Sequence, residues 1–275
     1  MNNISNFFNP QTERIKASEL SRWLLSRGIS TISTDEIATL LAVPINHVPQ
    51  RLAALKKRGE IVLLSHNLWI PVPPEYMTWG APPAIDIIGA LMKHHNINYY
   101  VGWLSAASLL GSSHHAPQVF QVAVSNKIRD KTIGRSKLQF YKRSHINNVS
   151  LSNYETKNDI VKISSLETTM FDIVTDIGLI GGIDNAANLI IEICDAKTPN
   201  IKEIIKLSKF YPVSATRRLG YIFENFTKIN TSEIFIVSKE SSITSYSLLD
   251  PQSENFGSID NKWKLKINKK VEPDI

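Results

Sequence analysis

Cysteine is nearly absent: Cys194 is the one thiol in 275 residues. A lone cysteine excludes a disulfide framework and a cysteine-ligated zinc site, and its place in the run Ile-Ile-Glu-Ile-Cys reads as that of a small buried hydrophobe. Long apolar runs are missing too. None reaches the roughly 18 residues of a membrane span, and the opening MNNISNFFNP lacks the basic segment and apolar stretch of a secretory leader. The expectation is a cytoplasmic protein with no membrane partner. No glycine-rich phosphate loop occurs, and Gly111-Ser112-Ser113 lacks the paired aspartates with which a nucleotidyltransferase holds metal ions. The pairs His94–His95 and His114–His115 are adjacent in sequence, so their rings point apart and neither has the i, i+4 spacing of a two-histidine metal site. No metal and no cofactor is expected, and there is no internal repeat or low-complexity tract.

What is present is ordinary globular material, 43% hydrophobic and 20% charged, enough to build packed cores. The net charge of +6 is unevenly spread. Residues 1–75 carry 8 basic and 6 acidic side chains, residues 76–150 carry 8 and 2, and residues 151–275 carry 15 and 17. The middle excess falls on Lys127, Arg129, Lys131, Arg135, Lys137, Lys142 and Arg143, opposed only by Asp130. A focus of that kind attracts a polyanion, either nucleic acid or an acidic protein surface.

The first 75 residues read as a winged helix-turn-helix. Ala17 to Arg27 places Leu20, Trp23 and Leu24 at helical spacing before Gly28, a good left-handed helix stop. Thr34 with Asp35 and Glu36 opens a second helix whose apolar face is Ile37, Leu40 and Leu41. After a turn at Ala42 to Pro44, a third helix capped by Asn46 takes Pro49 in its first turn and faces inward with Val48, Leu52 and Leu55. Its outward residues His47, Gln50, Arg51 and Ala54 suit base reading, since Gln pairs with adenine, Arg with guanine and a small Ala fits a thymine methyl. Lys56, Lys57 and Arg58 suit phosphates. The β-rich runs Ile61–Leu64 and Leu68–Val72 then make a hairpin with His66 and Asn67 at its tip. Asn46, His47, Gln50, Arg51, Lys56, Lys57, Arg58, His66 and Asn67 are the candidate DNA contacts.

Pro71, Pro73, Pro74, Pro82 and Pro83 resist both helix and sheet pairing, so a semi-rigid linker is expected and the domain boundary is placed at residue 75. Residues 76–275 read as a larger mixed α/β domain, giving an α+β chain overall. Helices are expected at 84–94, 103–110, 184–196, 202–210 and 214–226, with a further one opened by a Ser164/Glu167 capping box and stopped at Gly178. Strands are expected at 118–125, 136–143, 159–163, 234–237, 245–249 and 263–267.

Several blocks together carry a resemblance. YYVGWLSAASLLG at 99–111 is followed by HHAPQVFQVAVS at 114–125, ISSLETTMFDIV at 163–174, SATRRLGYIFEN at 214–225 and LLDPQSENFGSIDNKWKLKIN at 248–268. Their order and spacing, behind the helix-turn-helix, resemble AbiEi-type antitoxins of abortive-infection toxin-antitoxin loci. That resemblance implies a phage-defence antitoxin that binds operator DNA carrying inverted repeats and represses its own operon. The partner it implies is a cognate nucleotidyltransferase-like toxin, countered with no need for a stable complex. One departure is Glu167-Thr168-Thr169, where the family has Glu-Arg-Thr, so a charge role for that arginine does not carry over. Lys127, Arg129, Lys131, Arg135 and Lys137, with Arg217 and Arg218 on one helix, are candidate phosphate or partner contacts.

An enzymatic reading would rest on Glu192, Asp195 and Lys197 as half of a nuclease motif, with Asp159 or Asp184 as the second carboxylate. Polar positions on an amphipathic helix explain them as well, and no enzyme is expected. The rival function is a stand-alone winged-helix transcription factor whose larger domain senses a ligand.

Overall fold

The computed structural model describes residues 14–111, 117–157, 159–240, 242–254 and 256–273; Ser112, Ser113, His114 and His115 lie outside the described residues. The architecture is α+β, with helices packed on small sheets. Two compact units divide it, the first made of Met1–Ile97, Ile128–Gln139 and Tyr154–Val161, the second of Asn98–Lys127, Phe140–Asn153 and Lys162–Ile275.

In the first unit, a 3-10 turn leads into α1 (Leu20–Ser26), and β1 (Ile32–Ser33) runs into α2 (Thr34–Leu41). The cap of α2 is Ser33, one residue earlier than the sequence suggests. Its hydroxyl accepts from Glu36 N at 3.1 Å while Glu36 Oε2 accepts from Ser33 N at 2.7 Å, so two otherwise unpaired helix donors are satisfied reciprocally. Ala42 ends α2 in the left-handed region. A second 3-10 turn, Ile45–His47, feeds α3 (Val48–Lys57), so Asn46 lies inside that turn and caps nothing. An antiparallel hairpin follows, β2 (Ile61–Ser65) and β3 (Leu68–Pro71), and β1 pairs on the far side of β3. Leu24, Ile37, Leu40, Val48, Leu52, Leu55 and Ile61 fill the core between helices and hairpin.

The proline-rich segment is packed rather than extended. Pro74–Trp79 forms a 3-10 helix ended by Gly80 at φ 78°, with Val72 and Ala81 buried on either side. Proline's fixed φ suits a helical first turn, where its missing N–H costs nothing. The turn between β6 (Lys131–Ile133) and β7 (Ser136–Lys142) lies against this segment. A Cβ on Gly134 would come within 2.3 Å of Trp79 O, so only glycine fits there. The first unit thus continues past residue 75 through α4 (Ala84–His95).

In the second unit, β4 (Tyr99–Val101) lies antiparallel to β5 (Val119–Val124) and parallel to β9 (Ile160–Ser164). These strands belong to a six-stranded sheet of order β6-β7-β5-β4-β9-β8, with β8 at Leu151–Glu155. Helices α5 (Trp103–Leu109), α6 (Leu166–Thr175), α7 (Ile177–Ile180), α8 (Ile183–Ala196), α9 (Ile201–Ser208), α10 (Val213–Phe226) and α11 (Ser232–Glu240) surround one apolar core. A three-stranded sheet closes the chain in the order β10-β12-β11, with β10 at Ser247–Leu248, β11 at Ser258–Asp260 and β12 at Leu265–Ile267.

Three expectations change here. Ser165, not Ser164, caps α6 by accepting from Thr168 N at 3.2 Å, while Ser164 is buried against Thr169 Oγ1. α6 breaks at Asp176 rather than at Gly178. Residues 234–237 are helical, because Ile234 and Ser238, one turn apart, are the buried positions and Ile236 faces solvent. Among the described residues no helix is long and apolar enough to cross a membrane.

α10 passes directly over Trp263, which is fully buried. A Cβ on Gly220 would stand 2.1 Å from the Trp263 ring. Gly220→Ala should therefore destabilise the protein by about 1–3 kcal/mol despite alanine's better helix propensity. Thermal unfolding of the variant checks this, and an unchanged or raised Tm would contradict the packing.

Candidate functional site

The exposed face of α3 has the composition expected of a DNA-reading helix. Gln50, Arg51, Ala54, Lys56 and Lys57 are all exposed, as are Asn46 and His47 in the turn before it. Arg58 is also exposed but pairs with Glu60, which partly neutralises it. Val48, Leu52 and Leu55 hold the opposite face in the core, so the outward set is fixed in direction.

The hairpin tip divides its two candidates. Asn67 adopts φ 59°, and both ends of its amide are engaged: Oδ1 accepts from Thr34 N at 2.8 Å and Nδ2 donates to Asp35 Oδ2 at 3.0 Å. It fastens the hairpin to the N-terminus of α2. The His66 side chain is exposed. The basic run also divides, with Arg129, Lys131, Arg135 and Lys137 in the first unit and Lys127, Lys142 and Arg143 in the second. Lys127, Arg129, Arg135 and Lys137 are exposed, whereas Lys131 Nζ donates to Leu64 O at 3.3 Å beside the hairpin turn.

Arg217 and Arg218 are interior residues, 1% and 6% exposed, and present no surface to a partner. Arg217 donates to Ser245 O at 2.7 Å and Ile243 O at 2.6 Å. Arg218 donates to Leu248 O at 3.0 and 3.1 Å and to Val174 O at 3.1 Å. Burial lowers the Arg218 pKa to about 10, which leaves the guanidinium charged at neutral pH.

Sequence reasoning missed a polar centre in the second unit. Asp172 on α6 is fully buried, and its Oδ1 accepts from Tyr211 OH at 2.9 Å and Tyr100 OH at 3.2 Å. Arg143 stands 3.9 Å away, bonds Asp176 and lies over the Trp103 ring, whose Nε1 donates to Asp176 Oδ2 at 2.9 Å. Trp103 takes φ 50°, a costly conformation for a non-glycine residue, and these bonds hold it there. A Cβ on Gly102 would crowd the Tyr100 ring and Asp172, which explains a glycine in Val-Gly-Trp. The signal available in sequence was one aspartate inside the apolar run Met-Phe-Asp-Ile-Val. Thr168, standing where the family has arginine, is buried and donates to Ser150 O at 2.8 Å.

Asp184, one of the two carboxylates considered for the nuclease half-motif, lies away from it on the same helix. Glu192 and Asp195 lie near the C-terminal end of α8, while Asp184 is two turns back, roughly 12 Å along the helix from Glu192, and pairs with Lys269.

Residues 100–225 match the family model of the AbiEi antitoxin C-terminal domain. Among curated proteins none matches the chain. The crystal structure of the RV2827C protein from Mycobacterium tuberculosis shares the fold, with a TM-score of 0.67 over 92% of each chain at 12% identity. An antigenic nucleotidyltransferase-like protein from Paracoccidioides brasiliensis aligns at a TM-score of 0.39 and 10% identity, over 62% of this chain and 94% of its own. That score is too low to bear on fold or function.

Burial raises the Asp172 pKa to about 6, against the opposing pull of Arg143 and the two tyrosine hydroxyls. The folded protein therefore holds a proton there that the unfolded chain, near 4, has released. Stability from this group is fully present below about pH 4 and is lost as pH rises through about 6. In urea titrations from pH 4 to 7.5, the wild type should lose on the order of 3 kcal/mol relative to Asp172→Asn. Parallel curves for the two proteins would show that Asp172 does not titrate in this range.

Proposed function

We propose that this chain, which carries an AbiEi antitoxin C-terminal domain at residues 100–225, is a non-enzymatic, cytoplasmic DNA-binding antitoxin. It represses its own operon and counteracts a nucleotidyltransferase-like toxin in phage defence. The family match is the observation that carries the antitoxin reading. The matched residues lie wholly within 76–275, to which toxin control is assigned, and base reading is assigned to residues 1–75.

The DNA reading is supported by the order of elements in the first unit. Helix, capped helix, tight turn, cationic helix and hairpin, with a short strand added at β1, follow the order expected of the winged form of the helix-turn-helix. α3 would enter the major groove of an inverted-repeat operator. Gln50 and Arg51 would read bases there, Asn46 and His47 would lie at its leading end, and Lys56, Lys57 and Arg58 would meet phosphates. His66 would reach the backbone from the hairpin. Lys127, Arg129, Arg135 and Lys137 would add sequence-independent affinity through counterion release. Arg217 and Arg218 have no place in either contact, because their donors are spent on backbone carbonyls.

Base readers and phosphate clamps fail in different ways. Arg51→Ala should cost about 1–3 kcal/mol on DNA from upstream of the chain's own gene and relax preference at one position. Lys57→Ala should weaken binding to all duplexes and reduce the salt slope by about one. A salt-titrated shift assay, paired with a reporter fused to that upstream DNA, measures both. Operator binding and repression by Arg51→Ala equal to wild type would refute this reading of α3.

A further inference from the structure

The pair His94–His95, unused in the reading above, meets the turn between β2 and β3. His94 Nε2 lies 2.9 Å from the carbonyl oxygen of His66, to which it can only donate, and His95 Nε2 lies 3.0 Å from Ser65 Oγ. Lys131 Nζ reaches the Leu64 carbonyl from β6. Three distant stretches of sequence thus bring His66, Lys93, His94, His95 and Lys131 to one hairpin turn and the helix end beside it. Two acids adjoin these residues through a bond or along the chain, Asp35, which accepts from the Asn67 amide, and Asp130, next to Lys131 in sequence. A helix C-terminus tolerates such cations well, so their accumulation at the last turn of α4 costs little locally.

We infer that the β2–β3 turn and the C-terminal end of α4 form a proton-dependent phosphate site for double-stranded DNA, with His66, His94 and His95 taking up protons as the backbone docks. The inference rests on the DNA-binding reading and adds a regulation to it. Burial, His94 and Lys131 together hold His95 below the ordinary histidine range. A phosphate brought to the turn reverses the balance, because an adjacent anion favours the protonated ring. The protonated form is the binding form, so affinity is highest below the histidine range and falls as pH rises through it.

Fluorescence anisotropy of the full chain on a random-sequence duplex, at fixed ionic strength and at pH 6.0 and 7.5, tests this. Wild type should lose about tenfold in affinity between the two, and the His94→Gln/His95→Gln double variant less than about twofold. Titration calorimetry in two buffers of different ionisation enthalpy should show proton uptake at pH 6.5 for wild type only. If the double variant unfolds, His66→Gln gives the same test, because its ring is exposed and only its backbone carbonyl accepts from His94. A smaller pH effect than wild type supports the inference. Parallel pH profiles would overturn it, as would histidine-dependent proton uptake with polyglutamate but not with DNA, which would assign the turn to an acidic protein. Absence of duplex binding at any pH, by either protein, would instead remove the DNA-binding reading beneath it.

Discussion

Two guanidinium groups carried into the interior from α10 determine how the second unit is assembled. Arg218 joins the Val174 carbonyl of α6 to the Leu248 carbonyl of β10, and Arg217 gathers the carbonyls of Ile243 and Ser245 just before that strand. Removing either would leave buried carbonyls unpaired, which costs more than the net gain of an ordinary hydrogen bond. One turn further along α10, Gly220 leaves room for Trp263, and Trp263 in turn donates to Glu224 of the same helix. α10 is therefore the element against which the C-terminal sheet and α6 are both placed. α6 then supplies Asp172, the acceptor that gathers Tyr100 and Tyr211.

The first unit depends on a smaller device. Asn67 accepts the left-handed conformation of a tight hairpin turn and spends its amide on the N-terminus of α2. Trp69 adds a bond from its indole to Thr34 Oγ1 at 3.0 Å. The hairpin is thus tied to the helix that precedes α3, and the exposed residues of α3 stand on a braced frame. A rigid scaffold is what a base-reading helix requires, since a paired hydrogen bond to a base edge tolerates little displacement.

Local pattern made much of this legible. The inward face Val48, Leu52 and Leu55 of α3 could be read from spacing alone, as could the hairpin over residues 61–72, because burial imposes periods of 3.6 and 2 directly on sequence. Long-range packing was not legible. The run Ile-Phe-Ile-Val at 234–237 has strand propensity but is helical, because α11 buries Ile234 and Ser238 one turn apart. The proline cluster reads as a linker until Gly134, more than fifty residues later, is seen against the Trp79 carbonyl. Arg217 and Arg218 look like surface cations because nothing near them in sequence announces the carbonyls they will meet. Asp172 is likewise a single polar letter in an apolar run, and its partners come from β4 and from the connection before α10.

Base reading by α3 and toxin control are assigned to different residues, so toxin control should persist without operator recognition. The direct measurement is growth of cells in which the neighbouring reading frame is expressed from an inducible promoter foreign to this operon, with this chain supplied from a second plasmid. Repression of the native promoter then has no bearing on survival. The account predicts that wild type and Arg51→Ala restore growth equally. Failure of soluble wild-type protein to restore growth would contradict its assignment as the antitoxin, and rescue by wild type but not by Arg51→Ala would contradict the separation of the two activities.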